Sequence, residues 1–141
     1  MLLALDVGLA GLALGIERVE FEIEIMLGRF AGVDRSPTMA PHSDDEKKYA
    51  VADKVTERLK AMQANGELLI GQKIRDLVTV SGVRVTVADG TWGLVRASSN
   101  KPELVVVVES PVSEARMREM FAAVDKILRE NPEVGAYNQT I

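Results

Sequence analysis

Val83-Arg84-Val85-Thr86-Val87-Ala88-Asp89-Gly90-Thr91-Trp92-Gly93-Leu94-Val95-Arg96 is the stretch that decides the fold. Val83, Val85 and Val87 alternate with polar residues, the period-two pattern of a strand with one buried face. Asp89-Gly90 reads as a two-residue hairpin turn in which both positions take positive φ, and Thr91 to Arg96 returns as the partner strand. Working outward, Lys73 to Val80 is the preceding strand, punctuated by Ser81-Gly82, and Glu103 to Glu109 is the following one. The continuous run Leu104-Val105-Val106-Val107-Val108 predicts a strand covered on both faces, or one whose second face meets a partner domain.

Helices flank these strands. Ser43 followed by Asp44, Asp45 and Glu46 has the form of a capping box, in which serine and glutamate satisfy free amides at a helix start. The helix is expected from Asp44 to Gln63, with Ala52, Val55, Leu59 and Met62 as its core stripe and Asn65-Gly66 as its stop. Its acidic start suits the positive end of a helix dipole better than a metal site. Ser113 caps a last helix with Met117, Met120, Phe121, Val124, Ile127 and Leu128 on one stripe, ending before Asn131-Pro132. Helix, four strands, helix describes an α+β fold: a four-stranded antiparallel sheet with helices packed on one face.

The first third of the chain is less regular. Val19 to Ile25 alternates apolar residues with Glu20, Glu22 and Glu24, a half-buried strand whose glutamates face solvent and do not converge on one ion. Residues 32–41 carry Gly32, Pro37 and Pro41 and read as a linker or an extended lead-in, with a domain boundary near Ser36. The apolar opening from Met1 to Ile16 holds Asp6 and lacks a positively charged leading region, so it is read as a fragment end or misplaced start and not as a signal peptide.

Composition narrows function. A chain of 141 residues supports one domain with a real core, and its net charge of -4 argues against a general nucleic-acid or membrane-surface binder. Without cysteine there is no disulfide and no thiolate site, compatible with a reducing cytoplasm, where we expect the protein. The single histidine, His42, excludes a multi-histidine metal site and has no evident serine or acid partner for a triad. No G-x-S-x-G elbow, phosphate loop ending in Lys-Ser or Lys-Thr, or zinc-binding helix motif occurs.

What remains is the turn after the third strand. Ala97 to Lys101 is longer and more polar than a tight hairpin requires. Arg96 offers a planar fork that matches phosphate oxygens; Ser98, Ser99 and Asn100 add neutral donors, and Lys101 a second cation. An anion-binding loop and an ordinary polar loop whose serines and asparagine bond to their own backbone both fit this composition. Trp92 is read as a core or sheet-face residue before a sugar-stacking one.

Gly82-Val83-Arg84-Val85, Asp89-Gly90, Trp92-Gly93-Leu94-Val95-Arg96-Ala97-Ser98, Pro102 and the valine-rich strand together resemble the C-terminal domain of the α-D-phosphohexomutases, the phosphomannomutase/phosphoglucomutase family. The resemblance runs from about Ser36 to the last helix, giving a domain over 36–141 and leaving 1–35 as a flexible N-terminal segment. It implies a sheet similar to half of the TATA-binding protein, which by itself says nothing about DNA. It also implies a four-domain enzyme that moves a phosphoryl group between the C1 and C6 oxygens of a hexose through a bisphosphate. The phosphoserine, the magnesium loop and the sugar-recognition loop belong to the other three domains. This chain alone is therefore expected to be inactive, with no catalytic or metal residues and no cofactor of its own, magnesium being implied for the full-length enzyme.

The part implied for this domain is a clamp, R-x-S-N-T-x-P, on the substrate phosphate that is not being transferred. Arg96, Ser98 and Pro102 fall on its arginine, serine and proline. Ser99 stands at the asparagine position, Asn100 at the threonine position and Lys101 at the variable one. The implied partners are thus a hexose phosphate and the remaining domains, without nucleic acid or membrane. Two other readings stay open: a stand-alone protein-interaction domain using the valine-rich sheet, and a nucleic-acid binder, which the lack of paired strand aromatics disfavours.

Overall fold

The valine hairpin is the centre of the sheet in the computed structural model, which describes residues 33–141. In chain order the elements are β1 (Asp34–Arg35), α1 (Lys48–Ala64), β2 (Leu68–Leu69), β3 (Gln72–Val78), β4 (Val83–Val87), β5 (Trp92–Ala97), β6 (Leu104–Ser110) and α2 (Glu114–Leu128). The strands lie in the order β1-β6-β5-β4-β3-β2, every neighbouring pair antiparallel. The chain divides into two units at the Val33/Asp34 junction, and all these elements belong to the second. The expected strand at Val19 to Ile25 and the expected flexibility of residues 1–35 fall largely or wholly outside the described residues.

The sheet has six strands and not four. The four long ones are those expected, with ends moved by one or two residues, and the additions are two-residue edges. β2 pairs with β3 through a turn in which Ile70 (φ 45) and Gly71 (φ 77) both take positive φ. An isoleucine is a strained occupant of that region, so residue preference gives no turn signal there. β1 begins a longer run beside β6. Ser36 N–H donates to Val108 O at 2.9 Å, and Met39 and Val106 exchange both backbone bonds at 2.8 and 2.7 Å. Residues 34–42 are therefore an extended lead-in held to the sheet edge, not a linker.

Two local readings need correction. The β4–β5 turn spans three residues, Ala88 to Gly90, closed by Gly90 N–H to Val87 O and Val87 N–H to Thr91 O. Only Gly90 (φ 94) takes positive φ, the arrangement of a turn ending in a left-handed glycine. At α1 the capping box does not form: the helix starts at Lys48 and Lys47 occupies the cap position without a side-chain bond. Ser43 is fully buried with its hydroxyl unpartnered, and its amide serves another loop. The stop at Gly66 is as expected, with Gly66 N–H on Gln63 O and Glu67 N–H on Met62 O. Ser113 caps α2 by accepting from Arg116 N–H at 3.1 Å.

Both helices cover one face. Val51, Val55, Leu59 and Met62 of α1 and Met117, Met120, Val124, Ile127 and Leu128 of α2 form one core with Val83, Val85, Val87, Val95, Leu104, Val106 and Val108. Gly93 admits α2, since a Cβ there would stand 3.0 Å from Val124 Cγ2 and 3.3 Å from Met120 Cγ. By strand alternation Arg84, Thr86, Trp92, Leu94 and Arg96 belong to the opposite face. Among the described residues no helix is long and apolar enough to cross a membrane, and no cluster of acidic or histidine side chains could hold a metal ion.

Candidate functional site

β5 delivers Arg96 to the end of the sheet, one residue before the strand closes at Ala97. The strand alternation that buries Val95 turns Arg96 to the face without helices, where it is half-buried. Among the described residues its guanidinium has no hydrogen bond and no ion pair. The five donors of that group in a fixed fork are therefore uncommitted.

The loop beyond it is partly closed on itself. Ser98 is buried, its amide donates to Glu103 O at 3.0 Å, and its hydroxyl donates to Asn100 Oδ1 at 3.2 Å. Ser99, Asn100 and Lys101 are exposed. The amides of Ser99 and Lys101 meet no acceptor among the described residues, so the turn that follows Arg96 carries two free N–H groups and the exposed Lys101 side chain. The loop thus combines the two readings of its composition. Ser98 and Asn100 satisfy one another and set the turn, while the donors of Arg96, Ser99 and Lys101 have no partner among the described residues. Such an arrangement can receive an anion of phosphate size without breaking an existing bond.

Its inner side is anchored by residues the sequence reading did not assign to the site. Lys101 O accepts from Glu103 N–H and from the Lys48 ammonium, both at 2.8 Å, and Pro102 O accepts from Ser43 N–H at 2.9 Å. A signal for Lys48 was present: it lies three and four residues before Val51 and Ala52, on the apolar stripe of α1, where a lysine is out of place.

The turn end of β5 differs. Asp89 accepts from Thr91 N–H at 2.9 Å, Gln72 Nε2 at 3.2 Å and Arg116 Nε at 3.0 Å. Burial pushes its carboxyl up, but hydrogen bonding from Thr91 and Arg116 outweighs that and holds it below the usual aspartate range. Trp92 is a sheet-face residue, as expected, with the Arg84 guanidinium 5.3 Å from its ring centroid. His42 sits 3.1 Å from Asp44 Oδ1, both exposed, an acid neighbour that the sequence reading did not give it. Near the C-terminus the Tyr137 hydroxyl donates to Asp125 Oδ1 at 2.7 Å, and burial together with that carboxylate pushes its pKa well above the ordinary tyrosine value. A groove between α1 and α2 is lined by Asp53, Lys54, Glu57, Arg58, Ile127, Glu130 and Asn131. It shares no residue with the loop, and its alternating charges pair across it, as Arg58 does with Glu130 at 3.3 Å.

Comparison with known proteins shows what the chain as a whole is similar to. The profile of a family described as phosphoglucomutase/phosphomannomutase, C-terminal domain, matches residues 44–127. A phosphomannomutase/phosphoglucomutase of Pseudomonas putida is 30% identical over 121 residues, covering 84% of this chain and 23% of that protein. A phosphopentomutase of Thermococcus kodakarensis is 32% identical over 90 residues, 61% of this chain and 18% of that protein. A crystal structure of a phosphoglucomutase/phosphomannomutase family protein from Burkholderia thailandensis superimposes with a TM-score of 0.52 at 18% identity, over 82% of this chain and 21% of that one. The last likeness concerns the fold alone. In every case the chain spans about a fifth of the protein it matches.

Proposed function

The chain belongs to the phosphoglucomutase/phosphomannomutase family as its C-terminal domain, and from that premise we propose that the Arg96 to Lys101 loop is the clamp for a sugar-phosphate substrate. The observation that carries this reading is the uncommitted Arg96 guanidinium beside the free amides of Ser99 and Lys101. A planar fork, two amides and an ammonium around one turn match the charge and oxygen geometry of a phosphate monoester. Ser98 and Asn100 contribute by holding the turn; Ser99 and Lys101 contribute donors at the rim.

The clamp acts on the phosphate that is not transferred. Fixing that remote group orients the sugar, so that its other end faces the phosphorylating serine of a different domain, and binding energy far from the reacting bond lowers the entropic part of the barrier. The full enzyme thereby interconverts 1-phosphates and 6-phosphates of hexoses through a bisphosphate. Magnesium and the phosphoserine belong to the other domains, with which this chain forms the cleft, and the cytoplasm is the compartment. Because relatives are named for both hexose and pentose mutases, the clamp is assigned to the phosphate and not to the sugar.

The test is an amide titration of the 15N-labelled chain with glucose 6-phosphate, mannose 1-phosphate and inorganic phosphate. Shifts are expected at Ala97 to Lys101 and at the Arg96 side chain, with dissociation constants in the millimolar range, about 4 kcal/mol of binding for an isolated fraction of a cleft. Arg96→Ala should abolish them. Shifts confined to other surfaces, or an Arg96→Ala protein that binds as the wild type does, would remove the clamp.

A further inference from the structure

We propose that Lys48 is a positioning residue for the clamp: its buried ammonium pins the Lys101 carbonyl and so sets the turn that presents the Ser99 and Lys101 amides beside Arg96. The inference rests on the clamp reading above and deepens it.

Lys48 is placed against every ordinary preference of a lysine. It is 3% exposed, although lysine is among the side chains least often fully buried. It is also the first residue of α1, where the positive end of the helix dipole repels a cation. Pairing with Asp45 does not account for the burial, because that carboxylate, 2.8 Å away, is 69% exposed and could hold a lysine equally well at the surface. What the buried path does provide is reach to Lys101 O, 53 residues along the chain, at 2.8 Å.

That oxygen is a sensitive point of the loop. It already accepts from Glu103 N–H on one side, and Lys48 takes its second lone pair. Pro102 follows, so the Lys101–Pro102 peptide has no N–H and is held only through the Lys101 carbonyl, while Pro102 O, in the next peptide, is held by Ser43 N–H at 2.9 Å. Two successive carbonyls are therefore tied to the residues that lead into α1. With its carbonyl held, the Lys101 residue cannot rotate freely, and the direction of its amide and side chain is set before any ligand arrives. Preorganisation of this kind raises affinity by removing an ordering cost at binding. Lys48 touches the backbone and not the exposed rim, so it acts through the loop.

The test uses the whole 141-residue chain with 15N labelling. In Lys48→Met, which keeps the length of the apolar stem, the amides of β3 to β5 should keep their positions, while those of Ser98 to Glu103 should move and exchange with solvent faster. Affinity for inorganic phosphate and glucose 6-phosphate should fall about tenfold, the scale expected for a small misplacement of a positioning group. Asp45→Asn, which removes the carboxylate but leaves the Lys48 to Lys101 bond, should bind within about twofold of wild type. Should Lys48→Met fail to fold, Lys48→Arg takes its place, because the charge stays and the donor moves; the same loss is expected. Equal binding by the Lys48 variant and the wild type would overturn the inference alone. Equal losses in Asp45→Asn and Lys48→Met would also overturn it, by assigning the effect to local charge. A wild-type chain silent at Ser98 to Lys101 with both phosphates would remove the clamp reading itself, and this inference with it.

Discussion

The two ends of β5 are built from similar residue types and used in opposite ways. At the start, Asp89, Thr91, Gln72 and Arg116 close on one another, and Arg116 also donates to Ile70 O at 3.1 Å. At the finish, Arg96 and the amides of Ser99 and Lys101 have no acceptor among the described residues. Both ends hold an arginine and a polar turn, so composition does not distinguish them. What does is the pairing with a carboxylate: Asp89 neutralises Arg116, and among the described residues no acid pairs with Arg96. The closed end stabilises the hairpin, and the open end keeps its donors for a ligand.

The largest effect is expected where the open end meets the sheet. Gly82 has φ +92, and a Cβ there would stand 2.3 Å from Val95 O and 2.7 Å from Arg96 Cβ. Gly82→Ala therefore combines a left-handed strain of about 1–3 kcal/mol with overpacking of about 1–3 kcal/mol. A urea titration should show a loss of roughly 3 kcal/mol or more, and a loss under about 1 kcal/mol would mean that the strand ends are not fixed by this contact.

Next comes the closed end. Arg116→Met keeps the stem but leaves Asp89, whose side chain is 19% exposed, without its cation. A loss of about 2 kcal/mol is expected, within the range for a lost charged hydrogen bond and below that for a fully buried pair. Asp89 gives the closed end its own pH signature. Its pKa is held below the ordinary value of 3.8, so the stability it contributes is complete above that value and disappears as pH falls through the lowered pKa. Denaturation midpoints measured between about pH 5 and pH 2 should fall less steeply in Asp89→Asn than in the wild type. Equal slopes would show that another carboxylate governs the acid limb.

How far sequence reveals such a comparison depends on whether a signal is local. Val83 to Val87 and Leu104 to Val108 are legible because strand alternation and apolar runs are written in consecutive residues. β2 was not, since Ile70 occupies a positive-φ position that residue preference would never assign to it. The capping box at Ser43 was a false signal for the complementary reason. The motif is satisfied in sequence, but Ser43 N–H is taken by Pro102 O, a tertiary contact that pulls the segment away from the helix and delays its start to Lys48. At the loop, the donor types of Arg96, Ser98, Ser99, Asn100 and Lys101 could be read off, whereas the division between turn-setting and outward-facing groups could not. That division follows from which hydroxyl reaches which carbonyl oxygen across two residues. Lys48 stood out as a lysine on an apolar helix stripe, but what it holds stayed hidden because its partner, Lys101 O, lies 53 residues along the chain.

The smallest stability effect is predicted for the residue with the largest functional one. Arg96→Ala removes no hydrogen bond and no ion pair among the described residues, and its site is half-buried and clear of the helix layer. Its thermal midpoint should match the wild type, with a free-energy change inside about 0.5 kcal/mol. Arg96→Lys sharpens the contrast. It keeps the charge but loses the planar fork, so phosphate binding should weaken while stability again stays constant. If Arg96→Ala instead lowered stability as much as Arg116→Met, the open end would be a structural joint like the closed one. Unchanged stability with lost phosphate shifts would leave a single account of Arg96, a cation held out for a ligand by a sheet that does not need it.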